Sequence, residues 1–166
     1  MALIPDPEAF KQSLASLPIA VYVPGETVLD AGTTTGQLFI LRNGVVEVVK
    51  DGLQIATVSE PGAVFGELSI ILDKPHTADV RAIERSEFHV APASTLLSEN
   101  VAALLYVSGV LARRLDAAND IVIEVRGELA QGKQPGFLSK ALDRLEKLLS
   151  PEGGNDPNFH YYYPMY

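Results

Sequence analysis

Closely spaced turn signals in the first half of the chain limit its fold more than any other feature. Between Pro24 and Gly66 lie seven of the 13 glycines, and dipeptides such as Asn43-Gly44 and Asp51-Gly52 recur every eight to ten residues or so. These dipeptides supply the positive φ angles of tight turns, and the runs between them are rich in Val, Ile, Thr and Phe. The pattern predicts an all-β sandwich or barrel.

Composition narrows the function classes. The 166 residues include 13 basic and 21 acidic side chains, which gives a net charge of −8, and they include no cysteine. The missing cysteines exclude thiol catalysis and zinc held by thiolates. The negative charge disfavours nucleic acid as a partner, because binding to phosphate backbones depends on clustered Lys and Arg. No stretch approaches the roughly 20 apolar residues of a membrane span, so we expect no membrane partner and a cytoplasmic location.

Helical patterns flank the β region and suggest four segments. We expect an N-terminal helix and β domain over residues 1–92, a long helix over 93–134, a short helix over 135–150 and a flexible aromatic tail over 151–166. The tail holds five aromatic residues in its last eight, and it is either a mobile end or a peptide that docks in an apolar groove.

The predicted long helix carries a regular apolar stripe. Apolar positions from Val101 to Leu129 step alternately by three and four residues, which is typical of a coiled-coil seam. Additional apolar residues widen the stripe. We therefore expect its first half to pack on the β domain and its second half to form a homodimer.

The densest chemical signal follows the β-rich runs. Phe65-Gly66-Glu67-Leu68-Ser69 reads as a turn that enters a short helix, whose free backbone N–H groups suit an anion. Glu67 at the start of that helix could accept a hydrogen bond from a sugar hydroxyl. The chain then returns through Pro75-His76-Thr77, which would place residue 76 over the same anion.

These residues resemble the cyclic nucleotide-binding domain of catabolite activator proteins, kinase regulatory subunits and cyclic nucleotide-gated channels. The resemblance runs from about Leu17 to Gly127 and rests on four blocks in order. The blocks are Pro24 to Gly32, Leu38 to Gly44, the segment Phe65 to Ala82, hereafter the cassette, and Leu111 to Leu115. The resemblance implies a β jelly roll flanked by helices, without a DNA-binding domain, because only about 39 residues follow Gly127.

The resemblance also assigns roles to individual positions. Its ligand would be cAMP or cGMP, with phosphate and ribose held at Gly66, Glu67, Leu68 and Ser69 and the ribose 2′-hydroxyl on Glu67. Thr77 would lie beside the phosphate. Asn119 on the long helix would meet the base, where Ala118 cannot form hydrogen bonds.

His76 departs from the family pattern, because it occupies the position of the phosphate-binding arginine. A histidine with an ordinary pKa of about 6.5 is mostly neutral at pH 7, and only its protonation would add the missing charge. The sequence therefore leaves two functions open. One is a regulatory sensor that binds a cyclic nucleotide weakly, or a related anion, and relays occupancy through the long helix to an effector protein. The other is a ligand-free interaction module on the same scaffold.

An enzyme is disfavoured by what the chain lacks. A metal-dependent enzyme on a similar barrel needs two or three histidines and a carboxylate at close strand spacing, which His76, His89 and His160 do not provide. No P-loop lysine, Ser-His-Asp order or paired-acid arrangement stands out. The sequence therefore predicts no catalytic residue, no metal and no cofactor.

Overall fold

Two antiparallel four-stranded sheets face each other and form a β jelly roll. The computed structural model describes residues 7–130. One sheet has the strand order β1-β8-β3-β6 and the other β2-β7-β4-β5. The elements are α1 (Pro7–Ala15), β1 (Ile19–Tyr22), β2 (Thr27–Leu29), β3 (Gln37–Asn43), β4 (Val46–Lys50), β5 (Leu53–Val58), β6 (Val64–Phe65), α2 (Glu67–Ile71), β7 (Asp79–Ala82), β8 (Ser86–Pro92), α3 (Ala93–Glu99) and α4 (Val101–Ala130).

The tight turns that were predicted at the glycines between Pro24 and Gly66 are present. All seven glycines between Pro24 and Gly66 have positive φ angles. At Asp51 and Gly52 both φ angles are positive, at 52° and 78°, and these two residues join β4 directly to β5. Two consecutive positive φ angles define the turn whose twist matches a two-residue hairpin, so this prediction is confirmed.

The space between the sheets is filled by aliphatic and aromatic side chains from both. Phe88 on β8 is fully buried and meets the rings of Tyr22, Phe39 and Phe65 edge to face, with centroids 5.7–6.2 Å apart. Such edge-to-face contacts add to the burial of apolar area. The β domain therefore has a core of its own between the sheets.

A second apolar cluster lies between the outer face of the first sheet and the helices. Phe10 and Leu14 of α1 are buried, and Leu17 packs against the same cluster. Phe10 stacks on Tyr106 of α4 with ring centroids 3.8 Å apart, and the Tyr106 hydroxyl donates to the Gly62 carbonyl at 3.1 Å. The cluster thus joins α1, α3 and the first part of α4 to the β domain.

The helical region after Pro92 differs from the single helix expected over residues 93–134. It is divided into α3 and α4, and Asn100 between them has an extended backbone conformation. The Asn100 side-chain oxygen accepts a hydrogen bond from the Ala103 N–H at 3.0 Å, which is the bond of a helix N-cap. Asn100 therefore starts a new helix in the middle of the apolar stretch.

The first half of α4 packs on the β domain as expected, but on positions beside the predicted seam. The buried residues are Ala103, Tyr106, Val107 and Val110, whereas Val101 and Leu104 of the seam are exposed. Further along, α4 exposes Leu115, Val122 and Ile123. Exposed apolar side chains therefore remain on α4 outside its contact with the sheet.

Several sequence predictions fall outside the described residues. These are the short helix over 135–150, the aromatic tail over 151–166 and the end of the long helix beyond Ala130, and they stay predictions. Within residues 7–130 no single helix is long and apolar enough to cross a membrane, although the bent pair of α3 and α4 passes the same test by length and composition.

Candidate functional site

The cassette begins with a sharp turn from β6 into α2. Gly66 at the start of α2 has φ 92° and ψ −9°, in the left-handed region. A Cβ at this position would lie 2.5 Å from the Gln37 carbonyl oxygen on β3, which is closer than real Cβ contacts come. Only glycine fits both the backbone angle and this close approach. The turn therefore fixes where α2 starts and which way its first side chains point.

Glu67, the first residue of α2, is buried and forms an ion pair with Arg114 of α4. The guanidinium also donates to the Val64 carbonyl at 3.3 Å. Burial raises the pKa of the Glu67 carboxyl above its ordinary value, and the Arg114 charge acts against this rise. A buried carboxylate needs such a partner to stay ionised. Arg114 therefore connects the cassette directly to the long helix.

The other predicted residues of α2 point in different directions. The Ser69 hydroxyl is buried and donates to the Lys74 carbonyl at 2.6 Å, which closes the turn after the helix. Leu68 is exposed, as is Thr77 further along. Ser69 is thus occupied by the cassette's own backbone, while Leu68 and Thr77 remain accessible.

His76 is held firmly by the loop between β2 and β3. His76 is 6% exposed, and its Nε2 atom lies 3.0 Å from the hydroxyl oxygen of Thr35. Its backbone N–H donates to the Thr33 carbonyl and its carbonyl accepts from the Gly32 N–H, both at 2.8 Å. The ring carbon Cε1 lies 3.8 Å from the point where a Gly66 Cβ would be. His76 is therefore beside the start of α2, as the sequence predicted.

Burial lowers the pKa of the His76 imidazole below its ordinary value. The ring consequently stays neutral to a lower pH than an exposed histidine. The extra charge that protonation would add near pH 6 is therefore smaller than the sequence alone suggests.

Asn119 does not join the cassette in this structure. It is exposed on α4, five residues beyond Arg114, and no hydrogen bond links it to the cassette among residues 7–130. The structure thus brings Gly66, Glu67, Ser69 and His76 together and leaves Asn119 apart.

The sequence did not predict two residues that contact the site, Arg114 and Thr35. Arg114 was not assigned to the site, although it follows Val107 and Val110 by seven and four residues and so lies on the same face of α4. Thr35 gave no comparable signal, because its role depends on how the loop folds back over His76.

Comparisons with known proteins agree with this architecture. Residues 19–99 match the model of the family described as the cyclic nucleotide-binding domain. A cAMP-dependent protein kinase regulatory subunit of Yarrowia lipolytica is 34% identical over 79 residues, which cover 48% of this chain and 21% of that protein. The potassium channel SKOR of Arabidopsis thaliana is 33% identical over 81 residues, which cover 46% of this chain and 10% of the channel. The chain therefore spans about a fifth or less of these curated relatives.

A solved structure has a similar fold. The catabolite activator protein of Thermus thermophilus superposes with a TM-score of 0.62 at 19% identity, covering 87% of this chain and 80% of that one. This TM-score shows that the two chains share the fold. Residues 19–99 form a domain of the cyclic nucleotide-binding family. No DNA-binding domain is present within residues 7–130.

Proposed function

We propose that this domain is a regulatory sensor that binds a cyclic nucleotide weakly in the cassette and signals occupancy through α4. The observation that carries the proposal is the ion pair between Glu67 and Arg114. The carboxylate that the family resemblance gives to the ribose hydroxyl is here bound to the long helix. Ligand binding and the hold on α4 therefore depend on the same side chain.

This shared carboxylate supports a relay. A ribose hydroxyl that donates to the Glu67 carboxylate draws on the same negative charge that binds the Arg114 guanidinium, so occupancy would weaken one tie between α4 and the cassette. The contacts of Tyr106, Val107 and Val110 hold the first half of the helix on the sheet. The change is then concentrated in α4 beyond Arg114, where an effector or a second subunit would sense it.

The function is tested by calorimetry with cAMP on the full chain. Wild-type protein is expected to bind cAMP weakly at pH 7.5, because His76 brings no fixed charge to the phosphate. The variant His76→Arg is expected to bind about ten- to a hundredfold more tightly, since a charge-assisted hydrogen bond contributes roughly 1.5–3 kcal/mol. Gln54→Arg, which adds the same charge on the exposed strand β5, serves as the matched control.

Amide hydrogen exchange of the same samples gives a readout of the relay. On saturation with cAMP, the His76→Arg variant should exchange faster in α4 beyond Arg114, while the β4–β5 hairpin stays unchanged. Binding without any change in α4 would contradict the relay. Equal and tight binding by wild type and His76→Arg would contradict the role given to position 76.

A ligand-free interaction module is the second candidate, and one observation favours it. Both polar side chains at the centre of the cassette already have partners within the chain, Thr35 for His76 and Arg114 for Glu67. A site that has lost its ligand needs such internal partners, because an unsatisfied buried group destabilises the fold. Failure of wild type and His76→Arg alike to bind cAMP or cGMP would favour this candidate.

We also propose that the domain forms a homodimer through the later half of α4. Leu115 and Ile123 are 64% and 68% exposed, and Val122 beside them is exposed as well. Light scattering at tens of micromolar should give the mass of a dimer. The pair Val122→Asp with Val125→Asp should give the monomer mass, because two charges on the seam oppose apolar contact.

A matched pair of substitutions controls for added charge on the same helix. Ala112→Asp with Gly127→Asp places two acids at exposed positions outside the seam and should leave the dimer intact. A monomer mass for the wild-type protein would contradict the proposed dimer, because it would show that the second half of α4 does not need a second copy of the chain.

A further inference from the structure

Strand β1 lies at one edge of its sheet, and among residues 7–130 it pairs with β8 alone. At the start of this pairing the Val90 N–H donates to the Pro18 carbonyl at 3.0 Å. Hydrogen-bonded and non-hydrogen-bonded pairs alternate along an antiparallel ladder, so Ile19 and Val21 do not bond to β8. The backbone N–H and C=O groups of Ile19 and Val21 therefore point away from β8, and they are called the free edge below.

The pairing of β8 with its other neighbour, β3, agrees with this assignment. The Ala93 N–H donates to the Gly36 carbonyl at 3.0 Å, which fixes the alternation between β8 and β3. His89 accordingly directs its own N–H and C=O groups to β3. Since His89 is the residue opposite Ile19, the backbone groups of Ile19 have no partner on β8.

The side chains around the free edge suit an additional strand. The four residues of β1 include neither a charged residue nor a proline, which are the usual means of protecting an edge from pairing. Ile19 and Val21 are 47% and 46% exposed. An open groove of about 450 Å³ beside β1 is lined by Ala20, Val21, Tyr22, Glu26 and Thr27. The groove thus combines apolar side chains of β1 with the hydrogen-bonding side chains of Glu26 and Thr27.

The chain contains a segment whose chemistry matches this edge. Four of the five residues over 159–163 are aromatic, and aromatic residues are enriched in strands. In an extended segment, alternate rings would lie beside Ile19 and Val21, and aromatic and β-branched side chains stabilise each other across strands. A tyrosine also combines an apolar ring with a hydroxyl that can donate a hydrogen bond, so it fits both parts of the groove.

The length of chain after α4 allows this segment to reach β1. The first part of α4 packs on the sheet that contains β1, and the helix ends 20 residues after Val110, which is about 30 Å further along. Between Ala130 and Phe159 there are 28 residues. Even with the helix predicted over 135–150, these residues would span up to about 60 Å, which is enough to return to the sheet.

We propose that residues 159–163 add to the free edge of β1 as an extended strand and place a tyrosine ring in the groove beside it. Backbone hydrogen bonds to Ile19 and Val21 hold the segment, as in other cases of strand addition to a sheet edge. Because the segment belongs to the same chain, its effective concentration at the edge is high. The proposal is independent of the ligand of the cassette.

Amide hydrogen exchange, followed residue by residue by NMR, tests the proposal. In the full chain, the amides of Ile19 and Val21 should exchange at least about tenfold more slowly than in a chain lacking residues 155–166. The amides of β5, an edge strand of the other sheet, should exchange equally in both.

Two sets of substitutions keep the full length of the chain. The triple variant Tyr161→Ser, Tyr162→Ser and Tyr163→Ser should speed exchange at the free edge as much as the deletion does, because it removes the rings from the segment. The control Asn155→Ser with Asn158→Ser changes polar residues just before the segment and should exchange like wild type. The triple variant also decides the question if the shortened chain fails to fold.

Val21→Pro tests the edge from the side of β1. Proline removes the Val21 N–H, which β8 does not use, so the pairing of β1 with β8 should remain. In this variant, deletion of residues 155–166 should no longer change the exchange of the Ile19 amide.

Two results would overturn the proposal. One is equal exchange at Ile19 and Val21 in the full chain, the shortened chain and the triple tyrosine variant. The other is slow exchange that persists in the shortened chain together with a dimer mass that Val21→Pro abolishes, since this result would assign the free edge to a second copy of the chain.

Discussion

Replacing Arg114 by Met is expected to lower the free energy of unfolding by about 3–5 kcal/mol at pH 7. The substitution removes the cation and keeps the length of the side chain. It leaves the Glu67 carboxylate buried without its partner, and an unpaired buried charge is among the most destabilising changes in a protein. Urea unfolding of wild type and variant measures the loss.

The pH dependence of this loss has a definite sign. Burial raises the pKa of Glu67, and Met at position 114 removes the charge that opposes the rise. A group whose pKa is raised by folding stabilises the folded state below its unfolded pKa, and this contribution is lost as the pH rises through the folded pKa. The difference in free energy of unfolding between wild type and Arg114→Met should therefore become smaller as the pH falls from 7 towards about 5.

Two further variants control for this prediction. Lys50→Met removes a positive charge from an exposed position of β4 and should cost at most about 1 kcal/mol, as is usual at a surface. The double variant Glu67→Gln with Arg114→Met should recover much of the loss, because no buried charge remains. Equal losses for Lys50→Met and Arg114→Met would contradict the importance of the ion pair.

Gly66→Ala is expected to destabilise the domain by about 2–5 kcal/mol. The left-handed backbone angle contributes about 1–2 kcal/mol for a residue with a side chain. The new methyl group would also lie 2.5 Å from the Gln37 carbonyl oxygen, and such overpacking adds roughly 1–3 kcal/mol. Because β3 and the start of α2 must move apart, the position of Glu67 should change as well.

Gly25→Ala is the matched control for this second prediction. Gly25 has φ 90°, close to the value at Gly66, but a Cβ there would meet no atom within 4 Å. It should therefore show the backbone contribution alone. Unfolding in urea gives both values, and losses of the same size at positions 25 and 66 would exclude the contact with Gln37 as a cause.

The fold was predictable because its signals are local. A turn dipeptide such as Asp51-Gly52 depends only on a few neighbouring residues, and the structure confirms this turn. The division of the helical region was not predicted. A side-chain cap at Asn100 competes with the helix propensity of the apolar residues around it, and the periodicity gives no sign of that competition.

The candidate site was predictable only in part. The spacing of Glu67 and His76 and their family resemblance locate the cassette, but their partners come from distant parts of the chain. Arg114 is 47 residues from Glu67 and Thr35 is 41 residues from His76. These contacts decide whether a side chain is charged, neutral or available to a ligand, and they exist only once the β2–β3 loop and α4 have folded onto the cassette.

The pairing of the strands bears on how the domain forms during synthesis. Among residues 7–130, β1 pairs with β8 and β2 with β7, so both early strands wait for partners made more than 50 residues later. The stacking partner of Phe10 is made later still, because Tyr106 is nearly a hundred residues further along the chain. At about 5–20 residues per second, the ribosome delivers that partner roughly 5–20 seconds after α1. The β4–β5 hairpin can close long before that point, because two residues join its strands, whereas the ring of Phe10 lacks its stacking partner until Tyr106 is made.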